Sequence, residues 1–185
     1  MSEDKPKTEI ATFAGGCFWC TEAFFLKLKG VSKVQSGYTG GRIPDPTYKQ
    51  VCTGTTGHAE GIQITFDPAV ISYEQLLDVF FHTHDPTTLN RQGADIGTQY
   101  RSAVFYANEK QKQSATTVIQ ALDKEGTFDD PIVTTLEKLT KWYPAENYHQ
   151  NYYEQNKRQP YCQFTISPKV AKFQKRYAKL LKDRL

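Results

Sequence analysis

Residues 9–25, EIATFAGGCFWCTEAFF, compress a strand, a double glycine and the start of a helix into seventeen positions, and this tight succession constrains the fold more than any other stretch. EIATFAG reads as a short strand stopped by Gly15-Gly16; from Cys17 the pattern turns helical, runs to about Lys29 and ends at Gly30. VSKVQSGYTG is a second strand that breaks into a glycine-rich turn at 37–41. In GIQITF, Ile62, Ile64 and Phe66 alternate with Gln63 and Thr65, the signature of a half-buried strand. Ser72 and Gln75 form a capping-box pair. Tyr73, Leu76, Leu77, Phe80 and Phe81 then mark the buried face of a helix that Asp85-Pro86 closes. RSAVFYA is a further strand, and Asn108 caps a helix ending near Gly126. This order predicts an α+β fold: a two-layer sandwich of split βαβ (ferredoxin-like) type, with helices against a mostly antiparallel sheet.

The 185 residues suit one domain, 1–185. Within it, 1–7 reads as a loose N-terminal tail, 143–167 as a long polar coil lying over the site, and 168–183 as a C-terminal helix. Residues 168–185 hold seven Lys/Arg against Asp183, in a chain whose net charge is +3. Val170, Phe173, Tyr177, Leu180 and Leu181 recur at helical spacing, so these cations read as the wet face of a docked helix and nucleic acid is not expected as a partner. No apolar stretch approaches the ~20 residues of a membrane span, so no membrane partner is expected. The start, MSEDKPKTEI, lacks an apolar signal core, so the expected location is the cytoplasm. In that reducing compartment four cysteines are more often catalytic or metal-bound than bridged.

The cysteines of CFWC admit several readings. A zinc site needs four ligands, and CFWC supplies two with no second pair at ligand spacing, so no metal is expected. Two inert buried thiols remain the plain structural alternative. A redox pair at a helix start leads, because a disulfide can open and close at i,i+3 there. Cys17, in the first turn, gains most from the helix dipole and reads as the nucleophile, with Cys20 as its partner. A thioredoxin-like disulfide exchanger fits poorly, since Phe18-Trp19 builds an apolar wall suited to gripping a methyl group.

GGCFWCTEAFF, GYTGG, PTYKQVCTGTTGHAEGIQITFDP, DPTTLNRQGADIGTQYRSAVFY and AENYHQNYY, in order from residue 15 to 153, together resemble the A-type peptide methionine sulfoxide reductases. The resemblance implies reduction of methionine-S-sulfoxide, free or in proteins, with thioredoxin as reductant and no cofactor. It implies that Cys17 attacks the sulfoxide sulfur and Glu60 is the acid. Tyr48 and Tyr100 hold the oxygen or a water near it, and Phe18 and Trp19 take the methyl. Asp95 and His149 belong to the polar part of the site. For Glu60 to be protonated near neutrality it must be buried with its pKa raised. His58 reads as turn structure and Cys52 as packing.

The chain departs from the commonest family pattern, in which Gly follows GCFW and resolving cysteines lie near the C-terminus. Here Cys20 takes the glycine's place and Cys162 lies in QPYCQF. Either could convert a Cys17 sulfenic acid to a disulfide. Cys20 is favoured, since its proximity needs no loop closure. A binding module without turnover is the rival from another class. A monomer is expected.

Overall fold

The computed structural model describes residues 7–183. Residues 1–6 of the expected tail, and the last two residues, lie outside that range. In chain order the elements are β1 (Glu9–Gly15), α1 (Phe18–Phe25), β2 (Val31–Thr39), α2 (Tyr48–Cys52), β3 (Ala59–Phe66), α3 (Tyr73–Thr83), the two-residue strands β4 (Arg91–Gln92) and β5 (Asp95–Ile96), β6 (Ser102–Tyr106), α4 (Glu109–Lys124), β7 (Thr135–Lys138), β8 (Tyr143–Pro144), α5 (Tyr152–Gln155) and α6 (Ser167–Arg176). A mixed six-stranded sheet, ordered β7-β6-β1-β3-β2-β8, carries the fold, and β4-β5 form a separate hairpin. The inner four strands pair antiparallel throughout, and β7 joins β6 in parallel.

The buried strands and helices follow the periodicities. Ile62, Ile64 and Phe66 are fully buried. Phe13 of central β1 stacks on Phe80 of α3 at 4.9 Å and meets Phe25 of α1 at 6.0 Å. The Ser72–Gln75 capping box is formed in full, and the Asn108 side chain accepts from Gln111 N–H to start α4.

Three expectations are corrected. The first helix stops at Phe25 instead of Lys29, because the chain turns there to meet its distant C-terminal segment: Lys29 N–H donates to Leu180 O at 2.8 Å and Lys182 N–H to Lys27 O at 2.8 Å. The stretch 143–167 is not plain coil. It contains β8, a 3₁₀ turn at Asn147–His149, α5 and a π-helical turn at Cys162–Ile166. The Gln150 amide clamps this stretch to β2, accepting from Ser36 N–H and donating to Ser36 O, both at 2.9 Å. The expected helix 168–183 is α6 over Ser167–Arg176, followed by a 3₁₀ turn at Ala178–Leu180 and a bridge between Leu181 and Leu28.

Candidate active site

The double glycine sets the approach to α1. Gly16 has φ +89°, and a Cβ there would meet the Gln92 side chain at 2.6 Å; at Gly15 it would press on Phe80 and His84. Small size is needed for the β4–β5 hairpin and α3 to close over this corner. Cys17 is the residue that caps α1, and only 9% of it is exposed; Cys20, one turn on, is 6% exposed. All four cysteines are free thiols.

The two thiols act on each other, and the outcome runs against the expected asymmetry. Cys17 is pushed well up, first by Cys20, then by burial and the Glu60 carboxylate. Cys20 is drawn down, first by Cys17, helped by Lys169 and Tyr161 against its burial. Cys17 precedes the helix, and Cys20, burial and Glu60 together outweigh the half charge that the helix start offers it.

Glu60 stands on β3 opposite Tyr38 of β2 and is 1% exposed. Its Oε1 accepts from Phe18 N–H, the first amide of α1, at 3.3 Å. Burial pushes the carboxyl up to about 8 against that bond, with Asp95 and Cys20 adding to the rise. An acid that stays protonated at neutral pH therefore lies under the first turn of α1.

Phe18 is fully buried between Tyr38 at 5.7 Å, His149 at 5.1 Å and Tyr48 at 6.4 Å. Half-buried Trp19 lies flat on Tyr152 at 3.8 Å and meets Tyr161 edge-on at 5.9 Å. Its indole N–H donates to His149 Nδ1 at 3.0 Å, which fixes the neutral imidazole with its proton on Nε2. Burial holds the His149 pKa down. Tyr48 opens α2, its N–H bound by Glu146 Oε2 at 3.0 Å; Tyr100 ends a 3₁₀ turn. Both hydroxyls are pushed up, by burial first and the Glu60 charge second. Asp95, on β5, accepts from Tyr161 OH at 3.0 Å.

The fold thus gathers Cys17, Cys20, Phe18, Trp19, Tyr48, Glu60 and His149 into one aromatic-walled corner, with Asp95 tied in through Tyr161. Cys162 is wholly buried in the π-helical turn, its thiol raised by burial and then by Cys20. Cys52, expected to pack inside, is exposed because α2 turns it outward, though its thiol bonds the Tyr48 hydroxyl. His58 is turn structure: Nδ1 accepts from Gly41 N–H at 2.9 Å and Nε2 bonds Ile43 O at 2.7 Å. Among the described residues no cluster of three or more His, Cys, Asp or Glu could hold a metal.

Sequence reasoning missed Tyr38, Glu146, Tyr161 and Glu22. Tyr38 OH donates to Glu146 Oε1 at 2.9 Å, tying β2 to the polar stretch. Glu22 is buried inside α1 and accepts from Asn151 N–H at 2.7 Å. Its signal was there to read: a lone acid within the aromatic run FWCTEAFF cannot face water if its neighbours face the core.

A sequence model described as peptide methionine sulfoxide reductase matches residues 9–181. The chain belongs to this family. It is 57% identical over 175 residues to the peptide methionine sulfoxide reductase MsrA of Chromobacterium violaceum, covering 95% of this chain and 99% of that one. To MsrA of Saccharolobus solfataricus it is 53% identical over 167 residues, or 90% and 93% of the two chains. The reduced form of Mxr1 from Saccharomyces cerevisiae superposes with a TM-score of 0.79 at 35% identity, covering 86% of this chain and 91% of that one. The enzyme is an oxidoreductase, a methionine sulfoxide reductase.

Proposed function

We propose that Cys17 attacks the sulfur of a methionine-S-sulfoxide, free or within a protein, while Glu60 protonates the departing oxygen. The observation that carries this reading is the buried Glu60 carboxyl bound to Phe18 N–H beside the capping thiol, where burial pushes it up to about 8. A binding module would need no such acid, and a disulfide exchanger would need no aromatic wall around its sulfur. With both Cys17 and Glu60 uncharged at rest, the site avoids two adjacent buried anions. Glu60 gives its proton to the oxygen and takes up the thiol's, so ionisation of Cys17 accompanies attack. The products are methionine and a Cys17 sulfenic acid.

Phe18 and Trp19 grip the methyl group; Tyr48 and Tyr100 orient the oxygen, with Asp95 and His149 completing the polar wall. Cys20 resolves the sulfenic acid to a disulfide and releases water; the action of the two thiols on each other supports it over Cys162. Thioredoxin is the proposed reductant, as yeast Mxr1 has been solved in complex with Trx2. A cytoplasmic location and a monomer working as one domain belong to the same proposal. The order β6-β1-β3-β2 supports reading the inner sheet as two interlocked split βαβ units of ferredoxin-like type.

The test is dithiothreitol-driven reduction of S- and R-methyl sulfoxides. The S epimer is reduced and the R epimer is not, and Cys17→Ser abolishes turnover; activity surviving in Cys17→Ser would sink the reading.

A further inference from the structure

The lysines after residue 168 served, in sequence, only as the wet face of a helix. One of them does more. Lys169, in the first turn of α6, lines the cleft that holds Cys17 and Cys20, together with Gly15, His84, Asp95 and Tyr161. It makes no ion pair within 4 Å among the described residues.

Around Cys20 stand Cys17 at the start of α1 and the Tyr161 hydroxyl, which both draw its pKa down, and Glu60 of β3, whose carboxyl Cys20 in turn pushes up. His84, just past α3, is held neutral: burial lowers it to about 4, and its two nitrogens are bonded to Phe80 O and Ser102 Oγ. Asp95, from β5, is the one carboxylate lining the cleft, and its Oδ2 is occupied by the Tyr161 hydroxyl at 3.0 Å. Cys162 contributes a buried neutral thiol. Among the described residues Lys169 is therefore the only charged cation lining this cleft.

We propose that Lys169 is a positioning residue that holds Cys20 as the thiolate through both halves of its work. This rests on Cys20 being the resolving thiol. In the first half the Cys20 thiolate attacks the Cys17 sulfenic sulfur. The S–O bond breaks, the S–S bond forms, and the departing hydroxide takes a proton to leave as water. Cys20 sulfur is oxidised and Cys17 sulfur is reduced, each to the disulfide level. In the second half a dithiol reductant attacks Cys17, and Cys20 is expelled. A thiol leaves faster the lower its pKa, so the charge that readies Cys20 for attack also eases its departure. Cys17, held high by burial, is the poorer leaving group, and the reductant is steered to one sulfur of the two.

The experiment is single-turnover mixing of the full chain with a methyl sulfoxide and no reductant, following sulfide release and loss of the sulfenic acid separately. Lys169→Met should slow disulfide formation about threefold at pH 7 in low salt, because less Cys20 is ionised while the thiolate that remains is the stronger nucleophile. The deficit should shrink as pH rises and Cys20 ionises unaided, and it should shrink in high salt, since the ammonium stands at an exposed mouth. Lys169→Arg should restore the rate. Equal rates in wild type and Lys169→Met, or a deficit independent of pH, overturn the proposal while leaving the Cys20 reading intact. Peptide mapping of the oxidised wild type gives the other distinction: a Cys17–Cys162 bridge overturns both.

Discussion

Glu60 and Cys17 are neighbours that cannot both be charged cheaply, and the chemistry of the site turns on which of them holds a proton. With Glu60 up near 8, the protonated form dominates at neutral pH and is lost above it. The sulfoxide step in wild type should therefore slow as pH rises through about 8, because the acid is then spent before substrate arrives. Glu60→Gln keeps an acceptor for Phe18 N–H but has no proton to give; rapid-quench measurements should show the step slowed by about 10²–10⁴-fold and the fall through pH 8 gone. The two tryptophans offer a second contrast. Trp19 is wedged between Tyr152 and His149 at the site, whereas Trp142 donates to Gln35 at 2.8 Å and lies against Gly37 on the sheet. Trp19→Ala should raise KM for a methyl sulfoxide on the order of tenfold, and Trp142→Ala should leave it unchanged. Equal effects would remove the methyl pocket from Trp19.

At the scale of elements, α1 is unusual in being buried almost all round, pressed between the sheet and the segments 150–155 and 162–173. Its Glu22 fastens the Asn151 turn, which sits at φ +52° and delivers Tyr152 to the face of Trp19. Burial pushes that carboxyl from 4.5 up to about 7. In the folded chain Glu22 thus keeps its proton where the unfolded chain has released it. Its contribution to stability is full below pH 4.5, drains as pH rises, and is gone once pH passes about 7. Glu22→Gln should remove that part of the slope, so that the variant melts higher than wild type at pH 8 but not at pH 4. Thermal unfolding at the two pH values checks it, against a remaining slope in which Glu60 loses stability as pH rises and His84 and His149, whose pKa values are lowered by burial, gain it. The same burial explains what periodicity could and could not reveal. Helices α3 and α4 have one wet face and a side-chain cap, so their bounds were legible. Helix α1 has no wet face, and its apolar pattern ran on past Phe25 into a turn. Strands β7 and β8, like the two-residue strands of the β4–β5 hairpin, are too short to show a period.

At the scale of the molecule, the sequence blocks between residues 15 and 100 made one half of the candidate site readable, because each carries its groups on a strand end or helix start that the pattern already located. In the other half, Cys162 and the block AENYHQNYY were named without a position, and Tyr161 and Lys169 were not named for the site. They reach it because a polar, irregular stretch is pinned to β2 through Gln150 and to α1 through Glu22. Such pinning is a matter of tertiary partners more than a hundred residues away, and no local period records it. The main-chain bonds that join Lys27 and Lys29 to Lys182 and Leu180 complete the enclosure. They also fix an order of events during synthesis. A ribosome that has made residues 1–110 has already delivered the inner four strands, the attacking thiol and the acid, yet the cleft beside Cys20 stays open until residues 161–182 emerge. A growing chain therefore carries both thiols of the cleft before the tyrosine wall and the ammonium that complete it, and gains these only when its late segments fold back onto its first helix.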